Sequence, residues 1–122
     1  MHELGIASSI LDIVKQYVPE RRAGSVRRVR VRVGEMAGVV PDSLQMCFDA
    51  VIADTPYRSA VLDIEHVPMA GACADCGVDF AMAQPVFRCP NCHGVHVVLV
   101  TGRELLVNDV EVADGVSEGL PS

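Results

Sequence analysis

The 122-residue sequence has no tryptophan, three phenylalanines and two tyrosines. Any core it builds must therefore come from Val, Ile, Leu and Met. It lacks an apolar run long enough to cross a bilayer, so no membrane association is expected. It lacks a secretory signal, because Asp12, Lys15 and Gln16 interrupt the apolar residues near its start. It lacks the basic excess of a nucleic-acid or anionic-membrane binder, since its net charge is −6. It shows no paired-carboxylate motif, phosphate loop or nucleophile–base constellation, so it is not expected to be an enzyme. These absences lead to the expectation of a cytoplasmic protein whose thiols stay reduced. Its five cysteines then point to metal rather than to disulfides.

Half of the residues are hydrophobic, enough for one compact domain plus a small satellite module. Residues 4–18, LGIASSILDIVKQYV, predict a helix. Leu4, Ala7, Leu11, Val14 and Val18 make one apolar stripe, and Ile6, Ile10, Ile13 and Tyr17 make a second beside it. Either both stripes are buried within the chain or one is left for a partner. Pro19 and Gly24 end the helix. A second helix is expected over 41–54, with Pro41 at its first position and Asp42 in its first turn. Leu44, Cys47, Phe48, Val51 and Ile52 form its core face, which makes Cys47 a small buried hydrophobe.

Between these helices, residues 25–36 alternate, with Val29, Val31 and Val33 on one face and Arg28, Arg30 and Arg32 on the other. The segments 60–67 and 105–113 alternate too, and their acidic residues are Asp63, Glu65, Asp109 and Glu111. One basic-faced and two acidic-faced strands predict a three-stranded sheet whose outer face is a ladder of opposite charges. His66 falls on the apolar face of its strand as a core or edge histidine. The last of these strands follows everything between 70 and 101, so that segment must be an insertion. The expected class is α+β: a three-stranded sheet with two helices (residues 1–69 and 102–113) and an inserted small zinc-ribbon-like β module (70–101). Residues 114–122, ADGVSEGLPS from its second residue on, are read as a disordered tail.

The insertion carries Cys73-Ala-Asp-Cys76 and Cys89-Pro-Asn-Cys92, separated by twelve residues. Two residues between paired cysteines let a tight turn aim both sulfurs at one ion, and two such turns complete a tetrahedral thiolate shell. Four thiolates leave no open position, so the expected Zn(II) is structural and not hydrolytic. Gly77 and Gly94 follow the two pairs, where a positive φ is commonly needed. Iron would satisfy the same shell. His93 and His96 lie close by, and His93 is read as an exposed neighbour of the site. Between 70 and 101 the charged residues are Asp75, Asp79 and Arg88. That is too little positive charge for a zinc ribbon that binds RNA or docks on transcription machinery, the alternative reading.

The opening MHE places His2 beside Glu3. His2 is bulky enough that Met1 is expected to be retained. The Met1 amine, the His2 backbone nitrogen and the His2 imidazole would then close five- and six-membered chelate rings around one ion. A nitrogen-rich, planar set suits Ni(II) or Cu(II) rather than tetrahedral zinc. The free backbone nitrogens of a first helical turn add donors, and Glu3 supplies the acid that a cation at a helix N-terminus requires.

MHELGIASSILDIV, VRVGEMAGVVPDSL, the paired CxxC turns and the closing GRELLVNDVEV together resemble the hydrogenase-maturation nickel metallochaperones of the HypA/HybF family. The likeness runs from Met1 to about Val112. It implies a nickel-binding α/β domain with an inserted zinc domain. It also implies transferable Ni(II) held by His2 with Glu3 and backbone nitrogens, with Asp42 as a further candidate. Cys73, Cys76, Cys89 and Cys92 carry over as zinc ligands. The implied partners are a HypB-type GTPase and the [NiFe]-hydrogenase large subunit, in a monomer or weak homodimer, and the resemblance allows urease as a second client. Gly77 and Val78 stand where some relatives have a histidine after the first pair, which leaves His93 as the one flanking imidazole.

Overall fold

The computed structural model describes residues 3–113 and 117–119. The elements run α1 (Glu3–Tyr17), a 3-10 turn (Glu20–Ser25), β1 (Val26–Gly34), α2 (Pro41–Ile52), β2 (Val61–Val67), β3 (Met69–Cys73), β4 (Asp79–Met82), β5 (Val97–Thr101), β6 (Leu105–Val112) and β7 (Ser117–Gly119). They form two sheets, one of order β2-β1-β6-β7 and one of order β4-β3-β5. The chain divides into two compact units. The first comprises the residues up to Arg32, Gly38–Glu65 and those from Leu106 on; the second comprises Val33–Ala37 and His66–Leu105.

In the first unit α1 and α2 pack on each other. From α1, Ile6, Ala7, Ile10, Leu11 and Val14 are buried, and from α2, Leu44, Phe48 and Ile52. Both stripes of α1 are therefore used at home. Ile6 is 4% exposed and Ile10 5%, so the second stripe is not a free docking face; Leu4 of the first stripe and Tyr17 of the second reach the surface. The pairing of two broad apolar faces consumes what the sequence left open. Cys47 and Val51 lie half-buried at the margin of the α2 face. Tyr57 is buried, and its hydroxyl donates to the Val18 carbonyl at 2.7 Å. That bond satisfies one of the carbonyls released where Pro19 stops α1.

The central strand of the larger sheet is β1, flanked by β2 and β6. Val29 and Val31 are buried, as are Leu62, Val110 and Val112. The outer face is the expected charge ladder. Arg28 meets Asp63 at 3.3 Å, Arg32 meets Glu65 at 3.0 Å, and Arg30 bridges Asp109 at 2.8 Å and Glu111 at 2.9 Å. Asp109 and then Glu111 raise the pKa of Arg30 further. The three expected strands are joined by a fourth, β7, paired antiparallel to β6. It is three residues long, too short a run for hydrophobic alternation to mark it within the expected tail. Residues 114–116 and 120–122 of that tail lie outside the described residues. His66 is exposed on the edge strand β2, so it is an edge rather than a core histidine.

The second unit is built on β3, which pairs antiparallel with both β4 and β5. Its buried apolar residues among those described are Val33, Val67, Met69, Cys73, Met82 and Cys89. The loop after β1 is held by backbone bonds from Gly34 N–H to Glu104, Glu35 N–H to Val67 and Met36 N–H to Gly102. A side chain at Gly34 would run into the Gly102 backbone, so this close crossing requires glycine.

Candidate metal centre

The two CxxC segments fold alike. In the first, Cys73 N–H donates to the Val78 carbonyl and Gly77 N–H to the Cys73 carbonyl, each at 2.9 Å. In the second, Cys89 N–H donates to Gly94 and His93 N–H to Cys89, again at 2.9 Å. The residue after each second cysteine carries a positive φ, 78° at Gly77 and 61° at His93. The left-handed station of the second turn is thus occupied by His93, not by Gly94 as the sequence had led us to expect. Gly94 is required for space instead. A Cβ there would lie 2.9 Å from the Asp75 carboxylate and 3.2 Å from the Cys92 sulfur.

These turns bring the four sulfurs of Cys73, Cys76, Cys89 and Cys92 within 4.8 Å of one another. The Cys73–Cys92 and Cys76–Cys89 separations are both 3.6 Å. Disulfide sulfurs would be bonded at about 2.05 Å, whereas a tetrahedron with Zn–S of about 2.3 Å has edges of about 3.8 Å. The donor set and its spacing fit a tetrahedral thiophilic cation. The first cysteine of each turn is buried and the second exposed.

Nearby donors favour negative sulfur. The Asn91 and Cys92 N–H groups point at the Cys89 sulfur at 3.4 Å, and the Asn91 amide reaches the Cys76 sulfur at 3.6 Å. The Val78 backbone N–H, then the Asn91 side chain, pull the Cys76 thiol down to about 6. At Cys92 the Gly94 N–H acts in the same sense, but the neighbouring Cys73 sulfur, burial, Cys89 and Cys76 outweigh it and push the thiol up to about 12. Four sulfurs this close cannot all ionise unless a cation neutralises them. Outside the cluster, the His96 ring lies 2.9 Å from the Asp75 carboxylate.

Among the described residues this is the one group of three or more His, Cys, Asp or Glu side chains placed to share an ion. Met1 and His2, expected at a nickel site, lie outside the described residues. Glu3 opens α1, and its carboxylate accepts the Val40 N–H at 3.4 Å, two residues before Asp42. Asp42 is exposed in the first turn of α2. Sequence reasoning missed two glutamates with backbone roles. Glu35 accepts the Met69 N–H at 3.4 Å, and Glu104 accepts the Gly102 N–H at 2.7 Å. The paired Gly-Glu and Gly-Arg-Glu turns were the available signal.

The family model described as hydrogenase/urease nickel incorporation, metallochaperone, hypA, matches residues 1–112. The chain belongs to the HypA family. The hydrogenase maturation factor HypA of Desulfatibacillum aliphaticivorans is 40% identical over 115 residues, covering 93% of this chain and 88% of its own. That of Streptomyces avermitilis is 42% identical over 119 residues, covering 94% and 89%. The solution structure of the Ni metallochaperone HypA from Helicobacter pylori aligns with a TM-score of 0.64 at 24% identity, over 92% of this chain and 97% of that one. At that identity the likeness establishes the shared HypA fold. A member of this family is a metallochaperone of metal-centre maturation, and the four-cysteine cluster is a metal-binding arrangement within it. No helix among the described residues is long and apolar enough to cross a membrane.

Proposed function

We propose that this chain is a nickel metallochaperone that takes up Ni(II) at its N-terminus and hands it on during [NiFe]-hydrogenase maturation. The observation that carries the reading is the family match beginning at residue 1, which takes in His2 and Glu3. In this reading residues 1–69 and 102–113 form the nickel-binding domain, and 70–101 the zinc-binding insertion. His2 is the principal nickel ligand. Glu3 and Asp42 supply acid on adjoining elements, a proximity supported by the Glu3 bond to Val40.

Cys73, Cys76, Cys89 and Cys92 hold Zn(II), whose role is to cross-link a unit with few large buried side chains. A shell filled by four thiolates has no vacancy for substrate, so the zinc is structural rather than hydrolytic. It works by ligand exchange. A nickel site near a chain end can be approached by a client's ligands one at a time, which allows transfer without release to water. Its partners are a HypB-type GTPase and the hydrogenase large subunit, in the cytoplasm, with the chaperone as a monomer or weak homodimer. Binding of RNA or of transcription machinery is disfavoured, because the arginine row of β1 is already paired with acids and a charge-poor insertion offers no basic face.

Titration of the purified chain with Ni(II), beside His2→Ala, tests the reading, with zinc content measured throughout. One zinc retained in both proteins, with nickel binding lost in the variant alone, is the expected result. Undiminished nickel binding by His2→Ala would overturn it.

A further inference from the structure

The sheet of β3, β4 and β5 has two unlike faces. On one, Gly71 is hemmed in, and an added Cβ would stand 3.0 Å from Met82 and 3.1 Å from Phe80 and Val97. Met69, Cys73 and Met82 are buried on that side. The register sets Ala70 opposite Ala81, and Ala72 opposite Asp79 and Val98, on the other side. Val100 joins this second face at a bulge, where β5 carries one more residue than β3 between Leu99 and Thr101. Val98 is 59% exposed and Val100 58%. A sheet with an apolar face ordinarily buries it under another layer of structure, yet these valines lie open.

We infer that this face docks one amphipathic helix of a partner protein, with an apolar stripe flanked on one side by Lys or Arg. Three strands at a spacing of about 4.8 Å span roughly 14 Å, room for one helix of about 10–12 Å diameter. A face that wide and about five residues long offers roughly 230 Å², well short of the ~800 Å² per partner that a stable pair of copies buries. The net charge of −6 on each copy also opposes self-association. The bulge in β5 blunts its edge against an added strand, which favours docking on the face. Asp79, at the β4 margin of the face, has no ion-pair partner among the described residues. A cation on the flank of the incoming helix would neutralise it. The inference is independent of which metal the chain carries.

The probe is a synthetic leucine-striped helix of about five turns, with lysines along one flank, titrated into the metal-loaded full chain and followed by amide NMR. Shifts are expected at Ala70, Ala72, Ala81, Val98 and Val100. Val98→Lys should weaken binding at least ~10-fold, as a charge placed within an apolar contact does. Asp79→Asn should weaken it by about 2–3-fold, a rim ion pair being worth little. Both positions are exposed, and unchanged metal content and amide dispersion verify the fold; Val100→Lys serves as the second variant should Val98→Lys misfold. Shifts elsewhere, or affinity indifferent to these lysines, would overturn the inference. So would sedimentation showing wild-type pairs that Val98→Lys separates, since the face would then belong to a second copy.

Discussion

The outward face of β2-β1-β6 carries Arg28, Arg30 and Arg32 against Asp63, Glu65, Asp109 and Glu111, whereas the open face of β4-β3-β5 carries alanine and valine with Asp79 at its margin. Their interiors differ as sharply. The first unit buries Leu44, Phe48, Ile52, Tyr57 and the long row of α1 and strand aliphatics. The second buries two methionines, two valines and two cysteine side chains among its described residues. A unit with a full apolar core needs no cross-link, and its surface ion pairs add little to stability. A unit without one must gain stability from ligation, as small domains commonly do. The contrast explains why the cysteines cluster in one unit while Cys47, in the other, stands apart at the edge of a helix face.

Removing the ligation should produce the largest effect. Cys89→Ser replaces a fully buried sulfur that takes N–H groups from Asn91 and Cys92. Structural zinc sites contribute about 10–16 kcal/mol of apparent binding energy at neutral pH. The expected outcome is loss of metal and of amide protection across β3–β5, with β1 protection retained; simultaneous collapse of both units would break the comparison. The same measurement has a pH arm. Cys92, with its thiol pushed up to about 12 in the metal-free cluster, must lose its proton to bind metal, while Cys76, at about 6, is largely ionised at neutral pH. Metal affinity should therefore fall as pH falls from 8 through about 6, with proton release on binding detectable by calorimetry in buffers of different ionisation enthalpy.

Phe48→Ala attacks the other unit. Phe48 is 1% exposed, and emptying such a site costs about 3–5 kcal/mol. Denaturant unfolding should report that loss while metal stoichiometry stays unchanged; loss of metal in this variant would show that the two units are not separately stabilised.

The smallest effect belongs to Tyr57→Phe. Losing its bond to the Val18 carbonyl should cost about 1 kcal/mol at neutral pH. Burial first, then Glu20, raises the Tyr57 pKa above its ordinary 10.0. The unfolded chain thus ionises this tyrosine before the folded chain does. Its contribution is full below pH 10 and is lost as pH rises through the folded value. Wild type should lose stability above pH 10 more steeply than Tyr57→Phe, in thermal melts read across that range.

Much of the architecture was legible because burial imposes periods on a chain. The alternation in VRRVRVRV set the valines inward and the arginines outward, and the spacing of α1 marked its buried stripes. The rest depended on partners distant in sequence. Nothing local to Ile6 or Ile10 indicated whether the chain itself would bury them, and β7, at three residues, is too short to show a period. The cysteine cluster was readable since two-residue spacing fits a turn around an ion. His93 was not, because a left-handed station forced on a non-glycine residue has no compositional mark.

By itself the sequence determined the types of the two helices and of β1, β2 and β6, the polarity of their faces and the donor chemistry of the four-cysteine site, since these follow from spacing along a few turns of backbone. Tertiary structure alone decided that Arg30 serves two carboxylates, that Glu35 and Glu104 hold backbone N–H groups, and that the sheet of the second unit leaves Val98 and Val100 open. Such choices depend on which segments meet after long loops close, and the free energy of that meeting is shared across residues that no local pattern connects.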